Sequence, residues 1–77
     1  MTIHIPISDL SPEVKKLYLE KKIISIGIDY HPNNLTGWVD GKEIEVFPFG
    51  KVCKMDNRWT GYNLYCNPTE IVIEIVW

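Results

Sequence analysis

The sequence predicts an α+β fold, in which one amphipathic helix packs on one face of a five- or six-stranded, mainly antiparallel sheet. Three observations favour this class: short segments alternate apolar and polar residues, one segment has helical spacing, and the connections between segments are short. Short connections indicate antiparallel neighbours, because parallel strands need a long crossover. The predicted order is β-α-β followed by a meander, within a single domain of residues 1–77, and a small half-open barrel is the alternative.

The helix is predicted at residues 11–22, after a first strand at residues 2–7. Ser11 is a favourable N-cap, and Pro12 suits the first helical position. Pro6 predicts that the first strand lies at a sheet edge or ends there. An apolar stripe with the spacing of an amphipathic helix is expected to pack on the sheet, and it consists of Leu10, Val14, Leu17 and Tyr18.

The remaining strands alternate in the same way. In the segment 23–30, the alternation predicts that Ile24, Ile26 and Ile28 share the face that meets the core. In the last strand, Ile71, Ile73 and Ile75 have the same arrangement. Turn residues separate the other strands, which are predicted within residues 35–47, 51–55, 59–66 and 70–77.

Asp40-Gly41 is the strongest local signal, a two-residue type I′ turn between two alternating runs. Such a turn fixes the register of the hairpin, from Val39 opposite Lys42 to Leu35 opposite Val46. The register directs one set of side chains to the core, namely Leu35, Val39, Ile44 and Val46. It directs the other set to the opposite face, namely Thr36, Trp38, Glu43 and Glu45.

The opposite face is predicted to collect aromatic and acidic side chains. If Tyr62, Leu64 and Cys66 point inward, then Trp59, Gly61, Asn63 and Tyr65 point outward, together with Glu70, Glu74 and the small residue Gly37. Because Trp and Tyr are common interface anchors, this face is interpreted as a recognition surface. Two alternatives are packing of the aromatic residues under loops and a self-interface between identical chains.

Basic residues near these aromatics suggest a second interpretation. Lys51, Lys54 and Arg58 lie close in sequence to Trp59. Cations interleaved with aromatic rings can hold phosphates and stack bases, which would suit a nucleotide or a single nucleic-acid strand. The net charge of −2 opposes this interpretation, so nucleic acid is not an expected partner.

Catalytic and metal-binding patterns are weak. Asp29 and His31 could act as an acid–base pair of a small hydrolase, but turn chemistry explains the same residues. His4, His31, Cys53 and Cys66 lack the close spacing of metal ligands. We therefore expect no enzyme, no metal and no cofactor.

Composition predicts an intracellular protein. Apolar residues make up 45% and charged residues 23% of the chain, as in ordinary globular domains. Two cysteines are too few for a secreted disulfide scaffold, and the sequence shows no signal peptide or membrane-spanning run. These features predict a cytoplasmic protein without membrane contact.

These patterns together predict a non-enzymatic binding module, an inhibitor or adaptor that occupies a partner protein or sequesters a small anionic ligand such as a nucleotide. A chain this small gains stability from association, so a homo-oligomer is expected. Phages and mobile elements often encode such modules, which makes a viral protein one expectation. The predicted binding residues are Trp38, Glu43, Glu45, Lys51, Lys54, Arg58, Trp59, Asn63 and Tyr65.

Overall fold

A computed structural model describes residues 1–29, 34–48 and 60–76 and shows a mixed α+β fold. The predicted class, with antiparallel strands and a single α-helix in the described ranges, is confirmed. The predicted strand at 51–55, the turn residues 31–33 and the residues Trp59 and Trp77 lie outside the described residues. The elements are β1 (Thr2–Pro6), a 3-10 turn (Ile7–Asp9), α1 (Pro12–Leu19), β2 (Ile24–Asp29), β3 (Asn34–Val39), β4 (Lys42–Phe47), β5 (Gly61–Cys66) and β6 (Glu70–Val76).

The described strands form two three-stranded antiparallel sheets, so the prediction of one sheet with five or six strands is wrong. The strand orders are β1–β6–β5 and β2–β3–β4, and neither sheet closes into a barrel. The division follows from β1, which pairs with β6 over Thr2 to Pro6 instead of joining β2. Each sheet belongs to its own compact unit. The sheet β1–β6–β5 belongs to the unit that consists of Met1–Asp9 and Asp56–Trp77, and the sheet β2–β3–β4 belongs to the unit Leu10–Met55.

Helix α1 begins as predicted but ends earlier. The Val14 amide donates to Ser11 Oγ at 3.3 Å, which is the N-cap that the sequence predicts. The helix ends at Leu19 instead of residue 22, because Lys21 adopts a left-handed conformation with φ of +59°. The Lys21 amide donates to the Tyr18 carbonyl and the Lys22 amide to the Leu17 carbonyl, each at 3.0 Å. These two bonds form a Schellman motif, which terminates the helix.

The hairpin β3–β4 has the predicted turn and almost the predicted register. Asp40 and Gly41 have φ values of +51° and +78°, as a type I′ turn requires. The four predicted pairs nearest the turn are confirmed, from Val39–Lys42 to Thr36–Glu45. The fifth predicted pair is wrong, because the register shifts and Leu35 lies opposite Phe47. The prediction that Leu35 and Val46 point to the core is still confirmed, since both residues are buried.

Strand β2 departs from simple alternation. Ile24 lies opposite Trp38 and Gly27 opposite Thr36, so the register shifts between these pairs. Ser25 lies within the shift and has φ of +55°. The irregularity turns Ile24 outward, where it is 61% exposed, and Ile23 is buried instead. The prediction that Ile24 faces the core is therefore wrong, whereas Ile28 is buried as predicted.

The sheet β1–β6–β5 buries four of its five isoleucines, and those of β6 alternate as predicted. Asn67 organises the β5–β6 turn, since its Oδ1 accepts from the Thr69 amide at 3.0 Å and the Glu70 amide at 2.8 Å. The buried isoleucines of this sheet are Ile5, Ile71, Ile73 and Ile75.

No helix in the described ranges is long and apolar enough to cross a membrane.

Candidate functional site

The predicted recognition surface is divided between the two sheets. Trp38, Glu43 and Glu45 lie on the hairpin β3–β4, whereas Asn63 and Tyr65 lie on β5. The structure therefore does not place these five residues on one sheet face. The other predicted binding residues lie outside the described residues, namely Lys51, Lys54, Arg58 and Trp59.

The outward face of β2–β3–β4 is called the Trp38 face, because this indole lies on its middle strand. Strand β3 is the middle strand, so Trp38 has Ile24 on one side and Glu43 on the other. Directly opposite residues in antiparallel strands have Cβ atoms about 4.5–5.5 Å apart. Trp38 is 40% exposed and Ile24 61% exposed, so the two form a continuous apolar strip at the surface. The side chains that define the face are Ile24, Asn34, Thr36, Trp38, Glu43 and Glu45.

The carboxylates of the Trp38 face differ in their local contacts. Asn34 Nδ2 donates to Glu45 Oε2 at 2.6 Å, which holds this carboxylate beside the strand. The Glu43 carboxylate makes no hydrogen bond or ion pair to another residue of the described ranges. Glu43 is exposed and lies next to the indole, so its acceptor oxygens are available to a ligand.

The Trp38 face is negatively charged. Its described strands contain one basic residue, Lys42, and alternation places Lys42 on the side of β4 opposite to Glu43. Asp29 adds a further carboxylate at the end of β2, opposite Asn34. An anion that approaches this face meets like charge, whereas a cation is attracted.

Gly37 lies on the core side of β3 and not on the recognition side, so its predicted position is wrong. The residue is buried, and a Cβ at this position would collide with the Ile23 side chain. Gly37 therefore allows β3 to approach the segment that contains Ile23 and Ile24. Gly61, in contrast, has open space among the described residues, since a methyl group there would have none of them beyond its chain neighbours within 4 Å.

The outward face of β1–β6–β5 is called the Tyr65 face. Tyr65 lies opposite Val72, which lies opposite His4, and Tyr65 is 53% exposed. Asn63 Nδ2 donates to Glu74 Oε1 at 3.1 Å, so Asn63 is engaged by its own sheet. The side chains that define the face are His4, Asn63, Tyr65, Glu70, Val72 and Glu74.

His4 and Glu70 form a contact that the sequence does not predict. His4 Nδ1 lies 2.5 Å from Glu70 Oε1; the His4 side chain is exposed, whereas that of Glu70 is half-buried. The two residues are 66 positions apart, and only the pairing of β1 with β6 brings them together. Sequence reasoning could find this contact only by assigning the strand partner of residues 2–6.

The acid–base chemistry of the described residues is limited. His31, the predicted partner of Asp29, lies outside the described residues. In the ranges 1–29, 34–48 and 60–76, no group of three or more His, Cys, Asp and Glu side chains is placed to hold a metal ion. The His4–Glu70 pair can orient an imidazole, but nucleophilic catalysis also needs an activated nucleophile beside it.

No family model, no curated protein and no solved structure matches the chain. The Trp38 face combines an exposed apolar strip with an available carboxylate, and it is the stronger candidate of the two faces.

Proposed function

We propose that the protein is a non-enzymatic binding module that acts as an inhibitor or adaptor by occupying a partner protein through the Trp38 face. The supporting observation is the exposed strip of Trp38 and Ile24 beside Glu43. Tryptophan is enriched among the interface residues that contribute most to binding, because it buries a large area and loses little side-chain entropy. A rim of carboxylates adds specificity through charge.

The charge of this face favours a protein over a nucleotide. A nucleotide would stack on Trp38 with its phosphates near Glu43 and Glu45, and like charges at such distances are repulsive. The cations required by the nucleotide hypothesis, Lys51, Lys54 and Arg58, are outside the described residues. The Trp38 face by itself therefore supports a partner that presents neutral or basic side chains.

The size of the face limits the kind of complex. Three strands spaced about 4.8 Å apart and six residues long at about 3.3 Å per residue give a face of roughly 15 by 20 Å. A stable interface of standard size buries about 800 Å² on each partner, which is more than this face provides. The face therefore fits a short segment of the partner or one part of a larger interface.

The test compares Trp38→Ala with Tyr65→Ala, an aromatic truncation in the other sheet. The wild type and each variant are used to capture proteins from an extract of the source cells. Each captured protein is then purified, and its affinity for the wild type and for each variant is measured by calorimetry. We expect Trp38→Ala to weaken the reconstituted complex by about 2 kcal/mol or more, as for an interface anchor. Tyr65→Ala serves as the matched control and should bind like the wild type.

Two results would contradict the proposal. One is equal affinity of the wild type and Trp38→Ala for every purified candidate. The other is loss of dispersed amide resonances in Trp38→Ala, which would show that the indole stabilises the fold instead of an interface.

A further inference from the structure

We infer that the Trp38 face binds an arginine-bearing segment of its protein partner, with one guanidinium group stacked on Trp38 and bonded to Glu43. The inference rests on the proposed function and specifies the chemistry of the partner. Three properties of the face support it: the exposed indole, the neighbouring carboxylate and the sign of the local charge.

The indole of Trp38 is a suitable platform for a planar cation. Cations are attracted to the negative face of an aromatic ring, and tryptophan is the best of the three aromatic side chains. Because Trp38 is 40% exposed on an outward sheet face, part of the ring is open to a ligand. Ile24 beside it offers apolar surface for the methylene groups of the cationic side chain.

The carboxylate of Glu43 provides the second contact. Glu43 lies directly opposite Trp38, and its carboxylate has no partner among the described residues. A guanidinium group has five N–H donors in a plane, so it can stack on a ring and donate to a neighbouring carboxylate at once. The ammonium of lysine lacks this planar fork, which favours arginine over lysine at this site.

The position of Glu45 extends the acidic surface. Asn34 holds the Glu45 carboxylate through a 2.6 Å hydrogen bond, so this charge is fixed on the same face as Glu43. The carboxylates lie on alternate residues of β4, and alternate residues are about 6.6 Å apart along a strand. This spacing matches arginines on alternate residues of an extended segment, which has the same repeat.

The charge pattern disfavours the other occupants of the face. A second copy in a two-fold contact would bring Glu43 and Glu45 of both chains together without a described cation between them. A phosphate-bearing ligand would meet the same two carboxylates. A basic protein segment is the occupant whose charge is complementary.

The test is a titration of the full chain, labelled with ¹⁵N, by a capped five-residue peptide of alternating glycine and arginine. The matched peptide has citrulline in place of arginine, which keeps the shape and removes the charge. The variant Trp38→Phe identifies the Trp38 indole resonance among the three tryptophans of the chain. We expect saturable shifts of the Trp38 indole N–H and of the Trp38 and Glu43 amides, and none with citrulline.

Charge-removing variants test the contact with Glu43. We expect Glu43→Gln to weaken peptide binding about two- to fivefold, the change in affinity that corresponds to an exposed ion pair. Glu45→Gln should have a smaller effect in the same direction. Glu74→Gln removes an exposed carboxylate of the Tyr65 face and should leave the affinity unchanged.

The inference is overturned if the arginine peptide causes no shifts at about 10 mM, if citrulline causes the same shifts, or if Glu43→Gln and Glu74→Gln bind alike. The proposed function fails on a different measurement, the affinity of Trp38→Ala for a purified partner. If Trp38→Ala weakens the complex with a purified partner but the arginine peptide does not bind, the inference is refuted and the proposed function is not.

Discussion

Lys21, Ser25 and Asp40 have positive φ values, which residues other than glycine rarely adopt. Each of these residues is at a point where the chain changes direction or register. Lys21 ends the helix, Ser25 lies in the bulge of β2, and Asp40 begins the hairpin turn. A left-handed conformation costs an ordinary residue about 1–2 kcal/mol, and the surrounding hydrogen bonds must offset this cost.

Replacing Lys21 by glycine should stabilise the protein. Glycine adopts the left-handed conformation without steric cost, and the two hydrogen bonds of the Schellman motif use backbone atoms that remain. We expect Lys21→Gly to raise the free energy of unfolding by about 0.5–1 kcal/mol in urea denaturation. Lys22→Gly is the control, because Lys22 is not among the residues with positive φ and glycine there should give no gain. A lower stability of Lys21→Gly would contradict this account of the helix end.

At the scale of elements, the close approach of β3 to the segment before it depends on Gly37. A methyl group at this position would collide with a methyl group of Ile23, a β-branched side chain that is itself buried. It would also lie 3.4 Å from the Ile24 carbonyl oxygen. Strand β3 therefore has little room to accommodate any side chain at position 37.

We predict that Gly37→Ala lowers the free energy of unfolding by about 1–3 kcal/mol, the usual cost of overpacking a core. Gly61→Ala is the matched control, because it makes the same change within a strand at a position where the described residues leave open space. The control should be neutral or slightly stabilising in the same thermal or urea unfolding experiment. Equal destabilisation of both variants would show that strand propensity, and not the contact with Ile23, governs the effect.

The hairpin shows how far the sequence alone determines an element. Asp40-Gly41 requires positive φ at two successive positions, and this local demand fixes the register next to it. The outward positions of Trp38, Glu43 and Glu45 were therefore predictable. The position of Ile24 was not, because the bulge at Ser25 replaces strict alternation and nothing in the residue types marks it.

The division into two sheets was the larger error at this scale. Short connections correctly indicate antiparallel neighbours, but they do not identify the partner of a strand with distant pairing. The first strand pairs with the last described strand, as Thr2 opposite Glu74 shows. The alternation places Asn63 and Tyr65 on the outward side of β5, where both are exposed, but it groups them with residues of the other sheet.

At the scale of the whole molecule, self-association remains a prediction. The Trp38 face is unsuited to a two-fold contact because of its carboxylates. The Tyr65 face has mixed donors and acceptors around an exposed ring, with His4 and Asn63 beside Glu70 and Glu74. Both carboxylates of this face have a partner on their own sheet, whereas Glu43 of the Trp38 face has none among the described residues, so the Tyr65 face is the better candidate for contact with its own copy.

We therefore expect native mass spectrometry to show an oligomer of the 9.0 kDa chain. Tyr65→Lys should shift it to monomer, because a charge would replace an apolar ring at the contact, and Trp38→Lys should leave it intact. A wild-type monomer at about 100 μM would show that the predicted homo-oligomer does not form. Dissociation by Trp38→Lys but not by Tyr65→Lys would contradict this prediction, because it would place the contact on the Trp38 face.

The position of β6 between β1 and β5 has a consequence for the time course of folding. The hairpin β3–β4 closes through two residues and can form within microseconds, whereas β1 must find a strand that is synthesised more than 60 residues later. During synthesis, β2, β3 and β4 are therefore all made before β6, which both β1 and β5 need for pairing. The Trp38 face can thus be assembled on a nascent chain whose other sheet does not yet exist.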